Sequence, residues 1–158
     1  MRVSFLATCL LSVILCGCSL AKDDALIQQF HHSRGDFERL RHMVDEDDLD
    51  GRIHADYADP QLPAARIAEY RRLMRATGVK RLWGHGRSKS LELVVDSNGW
   101  LAQGEYKGFS YDPSGPQQSA TSLDSSCFEL AEATKAERYC GAVRTLGDGW
   151  WLLRYEYQ

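Results

Sequence analysis

An α+β fold, with an N-terminal helical hairpin packed on a four- to five-stranded antiparallel sheet, is the class this sequence predicts. Three observations carry it. Apolar residues recur at helical spacing through the first half, short turn-bounded apolar segments follow Gly78, and glycine-bearing turn signals separate the later segments in pairs.

From Asp23 to Asp45 the residues Leu26, Phe30, Phe37, Leu40 and Val44 form one helical stripe with charges in the gaps, so an amphipathic helix is expected there. A second helix starts near Asp59-Pro60 or Pro63, where proline suits a first turn. It carries Ile67, Tyr70, Leu73 and Met74, and stops at Thr77-Gly78 with glycine as its C-cap. Val79 to Trp83 reads as the first strand. Leu91 to Asp96 and Trp100 to Tyr106 flank Ser97-Asn98-Gly99, whose Asn-Gly pair signals a hairpin turn. Lys107 to Tyr111 continues that strand or forms another, since Gly104 and Gly108 permit a bulge or bend. Tyr139 to Leu146 and Trp150 to Tyr157 surround Gly147-Asp148-Gly149 as a second hairpin. Between the sheet halves, Asp112 to Ser126 is polar except for Leu123 and longer than ordinary connections, which makes it mobile or functional.

The chain has 158 residues, 19 Lys and Arg against 22 Asp and Glu, and 44% hydrophobic residues. This suits one domain and excludes a polytopic membrane protein, a disordered chain and a strongly basic nucleic-acid binder. Its opening is a targeting signal: Arg2 supplies a positive charge, and the apolar run from Val3 to Leu15 falls short of the ~20 residues a bilayer crossing takes. Leu15-Cys16-Gly17-Cys18 then places an aliphatic residue three before a cysteine and glycine directly before it. This stretch resembles the lipobox of bacterial lipoproteins. The resemblance implies a leader over residues 1–17, a mature domain over 18–158 with 18–24 as a short tether, and lipid on Cys18 anchoring the chain to the membrane. By analogy with sorting rules, Ser19 rather than aspartate after that cysteine favours the outer membrane, with the domain facing the periplasm. Losing Arg2 with the leader takes the formal charge from −3 to −4, so nucleic acid is not an expected partner.

Of five cysteines, Cys9 and Cys16 leave with the leader and lipid consumes Cys18. Cys127 and Cys140 remain, and in an oxidising compartment they are expected to form a disulfide rather than a metal pair or a reactive thiol.

The segments FHHSRGDFERLRHMV (30–44), EYKGFSY (105–111) and GDGWWLLRYEY (147–157) occur in an order that resembles small uncharacterised lipoproteins of the Gram-negative envelope. That resemblance implies the two-helix-plus-sheet layout and brings no activity with it.

Candidate chemistry therefore rests on individual residues. Glu46, Asp48 and Asp50, followed by Gly51, mimic the start of a calcium-binding loop, but Tyr57 stands where the bidentate carboxylate belongs. His31 and His42 are about 16 Å apart by helical rise, too far to share a metal. No nucleophile elbow or spaced carboxylate pair is evident, so neither cofactor nor catalysis is expected. Aromatic residues offer the best binding clue. On a strand, Trp150 and Trp151 must point to opposite faces, which leaves one tryptophan near solvent; Trp150, Trp83 and Arg154 are the candidate binding residues. The expectation is a lipid-anchored envelope module, non-enzymatic, that meets an envelope protein or serves envelope structure. The alternative is a glycan or small-ligand binder using the outward sheet aromatics.

Overall fold

The computed structural model describes residues 19–100, 103–115, 119–130 and 139–157, and they form an α+β domain. In chain order its elements are α1 (Asp23–His32), α2 (Arg34–Glu46), β1 (Asp50–His54), α3 (Ala64–Thr77), β2 (Arg81–His85), β3 (Ser90–Trp100), β4 (Gln103–Tyr111), the one-turn α4 (Cys127–Leu130), β5 (Tyr139–Gly147) and β6 (Trp150–Tyr157). The six strands make one antiparallel sheet in the order β1-β2-β3-β4-β6-β5.

The helical stripe is buried as its spacing requires: Leu26, Phe30, Phe37, Leu40 and Val44 all lie in the core. The expected single helix is instead two, because Ser33 leaves helical geometry at φ −106° and ψ 21°. Its N–H still bonds the Gln29 carbonyl while its own carbonyl receives Asp36 and Phe37, so the break costs few hydrogen bonds. Phe30 and Phe37 thereby both reach Phe109, with ring centroids 5.4 and 4.9 Å away, and Trp150 closes the cluster at 5.3 Å from Phe30. Helix α3 ends as expected, Gly78 taking a left-handed φ of 70°.

Two differences from the sequence reading matter. The sheet gains a strand, β1, from residues placed in the calcium-like loop. It pairs with β2 from Asp50↔His85 to His54↔Arg81 and buries Ile53 in the core. A strand thus lies in the connection between α2 and α3, which still pack together as the expected hairpin, joined by Arg66 to Glu46 and Asp47 and by Arg39 to Glu69. Asn98-Gly99 does not turn the central hairpin: the register runs past it, through Asn98↔Glu105 and Gly99↔Gly104 to Trp100↔Gln103. A bulge at Val95 resets the pairing, from Val94↔Gly108 to Asp96↔Lys107, and lets the register run on.

Because strand side chains alternate, the sheet has two different faces. Ile53, Leu82, Leu91, Leu93, Phe109, Leu152 and Trp150 meet the helices in one core. The opposite face carries Arg81, Trp83, Glu92, Tyr106, Ser110, Trp151 and Tyr155, all only partly buried. Val94 and Leu153 are buried yet stand outside the core cluster, sunk on this second face.

Candidate functional site

On this second face, which none of the described helices covers, the register places four side chains in one row. Trp83 on β2 is opposite Glu92 on β3, Glu92 is opposite Ser110 on β4, and Ser110 is opposite Trp151 on β6. Three strand intervals separate the tryptophans, about 14 Å at ordinary sheet spacing. Beside this row Tyr106 and Tyr155 pair directly, their ring centroids 5.3 Å apart. Two depressions indent the face. One, of about 290 Å³, lies between Glu92, Ser110, Leu153, Tyr155 and Trp151. The other, of about 410 Å³, is lined by Trp83, Arg81, Arg52 and His54.

Glu92 is the polar centre of this surface. The Tyr106 hydroxyl donates to its Oε1 at 3.0 Å. Burial pushes its carboxyl above the ordinary value of 4.5, against the opposing pull of the Tyr106 hydrogen bond and the charges of His85 and Arg81. Burial likewise raises the Tyr106 and Tyr155 phenols, and the charge of Glu92 pushes both further. The guanidinium of Arg81 covers the Trp83 ring at 5.3 Å, and Trp83 lines the larger depression with Arg52 and His54. At the far end, Trp151 donates Nε1–H to the Asp112 carbonyl at 3.4 Å, and Gly115 sits against its six-membered ring. Such a surface offers flat rings for stacking and a carboxyl that accepts or, when protonated, donates a hydrogen bond.

The expected binding residues divide. Trp83 belongs to this face. Trp150 does not: it is fully buried among Phe30, Phe37 and Tyr111, with its Nε1–H donated to Glu38 Oε1 at 2.9 Å. Trp151 is the outward tryptophan. Arg154 also faces inward, where it donates to the Leu123 carbonyl at 2.9 Å and to Glu105 at 2.5 Å, with Glu156 Oε1 2.6 Å from its Nε. Its charge is spent on the fold. Alternation separated the two faces correctly in the sequence, but the polar look of Arg154 and Glu156 pointed to the wrong one as outward.

The calcium-like loop is dismantled by its neighbours. Glu46 Oε2 lies 2.7 Å from Arg66, and Arg66 holds it and Asp47 together, while Asp50 opens β1. Arg66 keeps the Glu46 carboxyl below its usual range, and the pairing relieves the acidic run at the end of α2. Among the described residues no group of three or more His, Cys, Asp or Glu is arranged to hold a metal ion. Cys127 and Cys140 are joined in a disulfide. Cys18 lies outside the described residues, but the segment expected as a tether after it is docked: Leu20 is buried and Ala21 N–H donates to Asp96 at 2.8 Å.

Sequence reasoning missed Glu92, Ser110, Trp151, Tyr106 and Tyr155. Their signal was the period-two alternation of 83, 92, 106, 110, 151 and 155, which becomes a site only once the strand order is known. Comparison with protein-family models, curated proteins and solved structures finds no match to this chain.

Proposed function

We propose that this is a lipid-anchored envelope protein, held through Cys18 at the periplasmic face of the outer membrane, and that it binds a glycan segment on the uncovered face of its sheet. The row Trp83–Glu92–Ser110–Trp151 carries this reading. Rings spaced across a shallow trough suit stacking on sugar faces, and a half-buried carboxyl with a neighbouring hydroxyl suits sugar hydroxyls. A cationic ligand fits less well, because Arg81 and His85 already act on Glu92 and burial favours its neutral form. A protein partner or a structural role is the competing reading, since exposed sheet faces also serve interfaces. The buried cores of such interfaces are depleted of ionisable side chains such as Glu, and here Glu92 lies at the centre. The role requires no covalent chemistry: the site holds its ligand and the lipid holds the domain.

Calorimetric titration with soluble peptidoglycan fragments and neutral oligosaccharides tests the proposal. Saturable binding that Trp83→Ala and Trp151→Ala each weaken at least tenfold is the expected result. Binding that survives both substitutions, or no binding to any of these glycans, overturns it.

A further inference from the structure

We propose that one end of the sheet, marked by Tyr139 and Tyr157, rests on the lipid surface, so that the domain is seated on the membrane rather than swinging from it. The inference rests on lipidation of Cys18; Tyr139 and Tyr157 lie at the end of the open face, away from the row proposed to bind glycan. Its first support is the shortness of the free chain. Leu20 is buried, the Ala21 N–H is held by Asp96 and the Ala21 carbonyl by Lys107 Nζ at 3.1 Å. Cys18 is three residues from Ala21, a reach of at most about 11 Å even when fully extended. The polar region of a bilayer is itself about 5–8 Å deep on each side. A domain held on that length of chain has no room to stand clear of the headgroups.

The second support is what lies at that end. Asp96 and Lys107 are opposite each other, and beyond them β3 and β4 run on through Ser97↔Tyr106, Asn98↔Glu105 and Gly99↔Gly104. Gly104 is opposite Tyr157, and Tyr157 is opposite Tyr139. Three residues of strand, about 10 Å, thus separate the clamp on Ala21 from the tyrosines, within the reach of the anchored chain. Tyr139 is 75% exposed and Tyr157 40%, two of the three large hydrophobic side chains exposed among the described residues. Side-by-side tyrosines, each with an apolar ring and a polar tip, suit the boundary between headgroups and acyl chains. Tyr157 lies over Gly104, where an added Cβ would come within 2.9 Å of its hydroxyl, which places its ring at the rim of the sheet.

Hydroxyl-radical footprinting of the full lipidated chain in phosphatidylethanolamine/phosphatidylglycerol vesicles tests the seating. The reference is the same chain with a long flexible Gly-Ser insert between Cys18 and Ser19, which frees the domain without touching the docked residues. Oxidation of Tyr139 and Tyr157 at least threefold lower without the insert is expected. His85, exposed at the other end of β2, is expected to oxidise equally in both and serves as the control. Equal oxidation of both tyrosines in the two chains, with Cys18 shown by mass to be acylated, overturns the seating and leaves the anchor standing. Absence of the acyl group overturns both.

Discussion

The Lys107 ammonium lies 2.7 Å from the Asp23 carboxylate, and the two side chains are only 1% and 2% exposed. Around this pair converge the first turn of α1, the middle of β4 and the loop before α4. Asp124 Oδ1 is 2.9 Å from the same ammonium, and Asp23 also receives the Leu123 N–H at 2.6 Å. Two charges withdrawn from water in this way stabilise only as a set, because each cancels the desolvation cost of the other. The cluster therefore acts as a clamp that fixes the first turn of α1 to β4 in the middle of the sheet.

Removing one member of the clamp is expected to be costly. Lys107→Met leaves Asp23 buried with the Leu123 amide and Ser122 hydroxyl as donors and only the more distant Arg144, at 3.5 Å, as a cation, and should lower stability by about 3 kcal/mol. Asp23→Asn should cost somewhat less, since an amide oxygen still accepts from Leu123. Urea midpoints of the two single variants and the double variant measure this. A double variant no less stable than Lys107→Met alone would show that the pair, rather than the packing of its stems, carries the effect.

Trp150 and Trp151 are neighbours in sequence with opposite burdens. Trp150→Ala should cost about 3–5 kcal/mol, since it empties the space between Phe30, Phe37 and Tyr111 and leaves Glu38 to its arginine partners. Trp151→Ala should cost about 1 kcal/mol while weakening the proposed glycan binding at least tenfold. Thermal melts beside calorimetric titration separate the two outcomes.

That contrast also marks how far the sequence could be read. The stripe of Leu26, Phe30, Phe37, Leu40 and Val44 was legible because one helix face must be covered, and all five are buried. The Ser33 break was not, because it is decided by two phenylalanines converging on Phe109 from another part of the chain. Strand β1 was hidden by its acidic neighbours, whose charges are answered by Arg66 from α3. For the site, alternation gave two faces on β6 without saying which the helices would cover. Arg154 and Glu156 look solvent-facing until the Leu123 carbonyl and the Cys127 amide are seen to meet them. Leu123 itself, the one large apolar residue in a polar loop, was the clue that this loop turns inward, and it is fully buried.

The disulfide ties α4 to the edge strand β5. Replacing both cysteines by alanine should lower stability by about 3 kcal/mol, the chain-entropy value for a loop of this size. Urea denaturation with and without reductant checks the magnitude. Mass mapping under non-reducing conditions should find the two peptides joined.

Glu92 should give the protein an unusual pH dependence. Its carboxyl is raised in the folded state, so below the ordinary value of 4.5 it is protonated in both folded and unfolded chains and costs nothing. As pH rises past 4.5 the unfolded chain releases the proton first, and stability falls until the folded carboxyl also ionises. Glu38, Asp96 and Asp124 act in the opposite sense. Burial opposes ionisation of each, but Arg41, Trp150 and Arg34 for Glu38, the Ala21 amide and Lys80 for Asp96, and Lys107 for Asp124 hold all three below their usual range. Their contribution is present above the unfolded values and is lost as pH falls through the folded ones. Wild-type stability should thus decline on both sides of a maximum in mildly acidic solution. Glu92→Gln keeps an acceptor for the Tyr106 hydroxyl and removes the charge, so it should abolish the decline toward neutral pH and leave the acid limb intact. Chemical denaturation from pH 3 to pH 8 reads both limbs at once. A Glu92→Gln profile that still falls as pH rises above 4.5 would assign that decline to another group.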